Sequence, residues 1–460
     1  MASAAGARTV AVIGAGWAGC AAAVDLCSAG HVVHVFEAAR IPGGRARQLH
    51  ANTASGVPPW QAHLDNGQHI LLGAYRETLR LMQRVGVDLQ QTLLRLPLQM
   101  VYPPGTGGMD LRCPRLPAPL HLAVGLWRAG GLQRADRMAL ARFSTAARWI
   151  DWRLNTDCSV AELLQRFDQT ARAVTLLWRP LCLAALNTPP ERASAQVFLN
   201  VLRDSLGARR AASDMLLPRV DLSQLLPIPA LAFVTAHGGV VHAGVRITGL
   251  ERAGNGWHLQ PAGIDATAAP AALTAPQHFD AVVVATPAQT AATLLGGIVE
   301  ADSWPALAYE PIATCYLHYP PSVRLARPFY ALLDDPGTQR WGQFVFDRGH
   351  LDARQAGVLA VVVSAAAEAT ALETGVLAAS IAAQIATDLG QPALGAPLAM
   401  RTVIDKRATF SCTPGLVRPG CDTGVTGLAR AGDYVAGDYP STLEGAVRSG
   451  RAAARLVMGS

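Results

Sequence analysis

The stretch Thr9–Gly19, TVAVIGAGWAG, decides how the rest of the chain is read. Thr9–Ile13 is a short β-branched apolar run of the kind that forms a buried strand. It leads without a spacer into Gly14-Ala15-Gly16-Trp17-Ala18-Gly19, then into the small-residue segment CAAAVDLCSAG, and then into a second apolar run, HVVHVFE, ending at Glu37. Strand, glycine turn, helix and strand in that order predict a βαβ unit that holds a dinucleotide. Gly14 permits the tight turn, Gly16 lets the backbone approach a diphosphate, and Gly19 lets helix and strand pack closely. Ala15 belongs to the same turn, and the helix N-terminus faces the phosphate charge. Glu37, roughly twenty residues after Gly14, would accept hydrogen bonds from a ribose and repel a 2′-phosphate.

The residues after Glu37 separate FAD from NAD. Ala38 opens the segment AARIPGGRARQ, in which Gly43-Gly44-Arg45 would lay a flexible backbone and a cation beside the diphosphate. A GGR turn placed after the acid resembles the flavoproteins of the amine oxidase and carotenoid desaturase superfamily.

At 460 residues the chain is long enough for two or three structural modules. Half of it is hydrophobic and only 16% is charged, yet no apolar run of about 18 residues without a charge occurs, which argues against a spanning helix. The opening residues lack the layout of a signal peptide. The eight cysteines are scattered without CxxC pairs, so they are expected to be reduced thiols of a cytoplasmic protein, with no metal site. The net charge of +6 comes almost entirely from arginine, Lys406 being the only lysine, and no basic run with interleaved aromatics points to nucleic acid. A mildly positive surface would favour an anionic membrane face, and a peripheral contact there is left open.

Five longer stretches carry a more specific resemblance. They are DNGQHILLGAYRETLRLMQRVG from Asp65, LLWRPLCLAALNTPPERASAQVFLNVLRDSLG from Leu176, SDMLLPRVDLSQLLPIPA from Ser213, RATFSCTPG from Arg407 and LARAGDYVAGDYPSTLEGAVRSGRAA from Leu428. Together they resemble the squalene-associated FAD-dependent desaturases, a family of hydroxysqualene dehydroxylases, from about Val10 to Ala454. The resemblance implies an α/β fold of the amine oxidase and phytoene desaturase type. In it, a discontinuous Rossmann-like FAD-binding domain (1–75, 237–300 and 402–460) carries an inserted helical plus β-sheet substrate-binding domain (76–236 and 301–401).

It also implies site residues. The loop Gly67-Gln68-His69 would pass along the flavin, as in plant-type carotene desaturases, and the backbone near Ile247 would meet the adenine. The substrate would be a long-chain isoprenoid alcohol, and reduced FAD would replace its hydroxyl by hydrogen after an unidentified donor had supplied electrons. His69 and Asp65 are the candidates for protonating the leaving oxygen, with Asn187 and Thr188 either lining the cavity or capping a turn. Many amine oxidases carry a lysine on a strand resembling YEPIATCYLHY; here Thr314 stands at that position, which argues against amine oxidation but leaves carotenoid-type desaturation open. A non-catalytic binding protein of the same fold would not be expected to keep Gly14, Gly16, Gly19, Glu37 and Arg45 together.

The C-terminal stretch says AGDY twice, at Ala431–Tyr434 and Ala436–Tyr439, before a helix introduced by Pro440-Ser441-Thr442. Spacing alone allows either aspartate to reach the cofactor. The resemblance selects Gly432-Asp433 for the ribityl or phosphate region and puts the amides near Leu443 and Glu444 at the flavin carbonyl, leaving Asp438 in the connecting loop. Arg430 is a departure, since that strand position is usually apolar. The segment Pro114–Phe143, with Leu120, Leu122, Leu126 and Trp127, is read either as core packing or as a membrane-dipping entrance for a lipid.

Overall fold

In a computed structural model of the protein, which describes residues 6–50, 56–262, 278–300 and 304–459, Thr9–Ile13 is strand β1 at the centre of a five-stranded parallel sheet. Strand β2 (Val32–Glu37) and the strand Ala281–Val284 flank it, and Val240–Ala243 and Leu428–Arg430 form the edges. Ile13 stands opposite Phe36 on one side and Val284 on the other, so three strands end level beside the glycine turn. Both faces of the sheet are covered, which is why β1 is a continuous apolar run and not an alternating one.

Helix α1 (Trp17–Ser28) covers one face, and its buried Ala21, Ala22 and Ala23 let neighbouring elements come close. The last helix, Leu443–Gly459, crosses it where Gly450 lies against the Ala18 carbonyl; a Cβ there would overlap that carbonyl's backbone atoms. Gly450→Ala is therefore expected to destabilise the protein by at least about 2 kcal/mol, read as a lower denaturant midpoint, because neither helix backbone can yield cheaply.

A second sheet is antiparallel, in the order Phe329–Ala331, Phe344–Asp347, Val358–Val363, Tyr309–His318 and Ala399–Phe410. Along Tyr309–His318 the alternation sorts side chains by face. Ala313, Cys315 and Leu317 pack in one cluster with Leu377, Ile381 and Ile385 of the helix Thr374–Asp388, while Tyr316 reaches the backbone of Asp65. Residues 76–236 are mainly helical, with a hairpin (Gln99–Val101, Asp110–Arg112) and two strands (Met215–Pro218, Leu93–Leu96) that form a three-stranded sheet with Leu71–Leu72 of the preceding segment.

The parallel sheet thus draws on chain segments 9–37, 240–284 and 428–430, and the antiparallel one on 309–410. The division expected at 401/402 falls inside the strand Ala399–Phe410, which stays paired to Tyr309–His318 as far as Phe410. The division expected at 300/301 falls beside residues 301–303, and the reading of the chain start concerns residues 1–5; both lie outside the described residues. The eight cysteines are free thiols, seven of them buried.

Candidate functional site

The two glycine turns meet at the N-terminus of α1. Gly14 has φ +105°, and a Cβ on it would stand 2.6 Å from the Ala285 carbonyl oxygen; a Cβ on Gly19 would overlap the Gly14 carbonyl. These two glycines are required by packing. Gly16 differs: a Cβ there would meet nothing nearer than Gly44 Cα at 3.9 Å, so its surface is open. The Gly43 amide donates to the Ala15 carbonyl at 2.9 Å, which holds Gly43-Gly44 over that opening. Glu37 accepts from the Ala15 amide at 2.7 Å and the Ala39 amide at 2.8 Å, so its carboxylate sits at the mouth of the turn, with exposed Ala38 between. The Val245 amide donates to the Glu37 carbonyl at 2.8 Å, bringing the start of the strand Ile247–Ala253 to the same corner. An open backbone cradle at a helix N-terminus beside a carboxylate fits a diphosphate and its ribose.

Arg45 leaves the second turn to pair with Asp433 and donates to the Ala408 carbonyl at 2.6 Å. Asp433 also accepts from the Ser441 hydroxyl, so the first Gly-Asp pair, the GGR turn and the start of the last helix converge. The Gly432 amide donates to Ser449 at 2.9 Å. The second Gly-Asp behaves differently: the Asp438 side chain is 71% exposed, against 10% for Asp433, with Arg203 no nearer than 3.9 Å, and its carbonyl accepts from Asn200 at 3.1 Å. Thr442 is the N-cap of the last helix, accepting from the Gly445 amide at 3.1 Å.

Leu443 and Glu444 open that helix, yet the Glu444 side chain turns away from the glycine turns. Fully buried, it accepts from the amides of Glu77 and Thr78 and from the Thr78 hydroxyl, closing the N-terminus of the helix Arg76–Arg84. Only its backbone is left for a cofactor. Arg430 keeps the register, standing opposite Val284, and its buried guanidinium lies 4.6 Å over the Trp304 ring.

Asp65 does not fit the role of proton donor. It is 2% exposed, accepts from the Leu222 amide at 2.8 Å, and lies 3.8 Å from Arg348, so it braces the loop from inside. Burial pushes its pKa from 3.8 to about 7, against the opposing pull of Arg348 and the Leu222 amide. Arg348, itself buried, gives its other donors to Gln68 Oε1 and Gln355 Oε1, both at 2.6 Å, and to the His63 carbonyl. Sequence reading missed Arg348, for which no local motif exists. Asn187 and Thr188 also serve structure. Asn187 closes a helix with φ +48° and bridges Thr409 and the Ala365 amide, while Thr188 accepts from the Cys412 amide at 3.0 Å.

His69 sends Nδ1 to the Gly67 carbonyl at 2.8 Å; a carbonyl only accepts, so that nitrogen carries the proton and Nε2 is left as an acceptor. Burial lowers its pKa, favouring the neutral ring. His69 Cε1 and the Thr314 hydroxyl oxygen each lie 3.6 Å from the point a Cβ on Gly67 would occupy. The Thr314 hydroxyl is buried without a protein partner, as is the Tyr434 hydroxyl, which follows Asp433. Both are unspent polar atoms of the kind a bound ligand satisfies.

Comparison with known proteins agrees with this geometry. A family model described as flavin containing amine oxidoreductase matches residues 17–458. Hydroxysqualene dehydroxylase of Rhodopseudomonas palustris is 30% identical over 98% of both chains. Zeta-carotene desaturase of Zea mays is 27% identical over 51% of this chain and 41% of its own. The solved structure of cyclohexylamine oxidase from Brevibacterium oxydans, 16% identical, superposes over 99% of both chains with a TM-score of 0.70, which speaks for the fold. The chain therefore belongs to the flavin-containing amine oxidoreductases, and within them to the squalene-associated FAD-dependent desaturases: it is an oxidoreductase whose cofactor is FAD.

Proposed function

We propose that the protein removes the hydroxyl group of hydroxysqualene reductively to give squalene, a step of squalene and hopanoid biosynthesis. The observation that carries the reading is that a neutral histidine and the unpartnered Thr314 hydroxyl both border Gly67, in a chain similar end to end to proteins named for that reaction. The conversion exchanges a C–O for a C–H bond and releases water, taking up two electrons and two protons. When bound, FAD supplies the two-electron transfer, and a separate donor has to reload it.

The remaining work falls to the chain's own side chains. The Thr314 hydroxyl donates a hydrogen bond to the departing oxygen, and His69 Nε2 accepts from the substrate hydroxyl and fixes its orientation. Of the two protons taken up, one goes to carbon with the electron pair, while the other, brought with the reducing equivalents, leaves with the hydroxyl as water. The apolar cavity lined by Leu98, Met100, Leu177 and Trp178 takes hydrocarbon and keeps water out. Gly14, Ala15, Gly16, Gly43, Gly44 and Arg45 hold the diphosphate, Glu37 the ribose, and Asp433 the ribityl or phosphate end.

Thr314→Val, which removes the hydroxyl at constant shape, is expected to lower kcat/KM by about 10- to 100-fold with the flavin spectrum and unfolding midpoint unchanged. The reading itself is tested by incubating FAD-loaded protein and a reductant with hydroxysqualene, ζ-carotene or an amine. Squalene formation is expected. Turnover of ζ-carotene alone would instead favour the desaturase reading suggested by the half-length similarity to the carotene desaturases.

A further inference from the structure

The helices Leu120–Arg128 and Arg134–Trp149 each carry two apolar sides. One side faces inward: Leu122 and Leu126 of the first helix and Leu140 and Phe143 of the second line the apolar cavity. Their spacing of three and four residues sets them on one stripe.

The other side is bare. Leu120 and Trp127 are about two turns apart, Met138 and Trp149 about three, so each pair lies along a single line of its helix. All four are exposed, Trp127 by 78% and Trp149 by 89%. The segment Pro114–Phe143 thus divides its apolar residues between cavity and solvent.

Within Pro114–Ile150 the exposed charge is all positive, and the exposed carboxylate of Asp151 follows directly. Between Pro114 and Ile150 the sole acidic residue is Asp136, buried and spent on capping its own helix. Arg115, Arg128, Arg134, Arg142 and Arg148 are exposed there. Arg128 follows Trp127 and Arg148 precedes Trp149 in the chain, so each bare indole lies on a helix end that also carries a cation. Arg148 is exposed and also lines the cavity, so one residue of this helix end touches both cavity and solvent.

We infer that the outer faces of these two helices dock on an anionic lipid bilayer, with the cavity opening toward the membrane. Indole rings with adjacent arginines match the boundary between headgroups and hydrocarbon, and anionic headgroups supply the missing counter-charge. A second copy of the chain would instead bring like charges together across a two-fold interface. The inference rests on the proposed function for what the cavity takes up, a water-insoluble isoprenoid alcohol delivered from the bilayer.

The test is flotation of the FAD-loaded protein with vesicles of phosphatidylcholine alone and of equal parts phosphatidylcholine and phosphatidylglycerol. Binding to the anionic vesicles is expected, with partition weakened about tenfold or more per tryptophan in the variant Trp127→Ser/Trp149→Ser. Flavin absorbance and the unfolding midpoint of that variant should match the parent.

No flotation with anionic vesicles, or equal flotation of parent and variant, would overturn the inference. So would light scattering that shows a dimer dissociated by the two substitutions, which would assign the face to a second copy. Hydroxysqualene turnover in detergent micelles, expected to be equal in parent and variant, separates the two readings. Micellar turnover without vesicle binding overturns the docking alone, whereas vesicle binding without turnover upholds it and overturns the proposed reaction.

Discussion

Replacing Asp433 with Ala is expected to weaken FAD binding about a hundredfold, and replacing Asp438 with Ala by less than about threefold. The two residues stand in the same words of sequence but in different surroundings. Asp433 is largely buried, pairs with Arg45 from the GGR turn, and accepts from Ser441 at the start of the last helix. Its loss leaves Arg45 without its carboxylate and removes the side chain that ties the GGR turn to the start of the last helix; truncating one partner of a largely buried, hydrogen-bonded pair typically costs about 2–5 kcal/mol, and the part exposure of Arg45 sets the loss at the lower end. Asp438 is exposed and 3.9 Å from Arg203, an arrangement that contributes little. Titration of each apo-variant with FAD, followed by flavin fluorescence, compares the two directly. Equal losses would mean that the first Gly-Asp has no special place at the cofactor.

Arg348→Met is expected to destabilise the protein by about 3–5 kcal/mol, because it strands a buried carboxyl and two buried amides. Gln68 and Gln355 would each lose a 2.6 Å donor, and Asp65 its nearest cation. The double variant Arg348→Met/Asp65→Leu should recover part of that loss, since an apolar pair needs no counter-charge. Asp65 also sets a pH signature. Its folded pKa, raised from 3.8 to about 7, means that the folded protein keeps this proton to higher pH than the unfolded chain does. The stabilisation from neutral Asp65 is fully present below about pH 4 and is lost as pH rises through about 7. Asp65→Asn, which can still accept from the Leu222 amide, should flatten the unfolding midpoint across that window.

These two predictions mark where the sequence was legible and where it was not. The glycine turns, Glu37 and Arg45 could be read because their chemistry is local: backbone conformation, helix N-terminus and acid all lie within one βαβ unit and its next loop. The choice between the two Gly-Asp pairs needed the family resemblance, since both precede the same helix. Arg348 and Asp65 could not be matched, because nothing in a short window says which buried carboxyl meets which distant cation. The resemblance assigns the amides near Leu443 and Glu444 to the flavin, while the Glu444 side chain lies on the face of the last helix that meets the helix Arg76–Arg84. A short window leaves Asn187 between cavity and cap, and its left-handed conformation at a helix end favours the cap. In the sequence Thr314 stands out only as a threonine where many amine oxidases carry lysine; strand register is what sets its hydroxyl beside Gly67 and His69.

The most direct measurement of the central claim is a single turnover without oxygen. The FAD-loaded protein, reduced beforehand and freed of excess reductant, is mixed with hydroxysqualene while flavin absorbance is followed and the lipid is extracted. Oxidised-flavin absorbance is expected to return as one squalene forms per flavin, and both should slow together in Thr314→Val. Flavin that stays reduced in the presence of hydroxysqualene, or is reoxidised without any squalene, would contradict the claim.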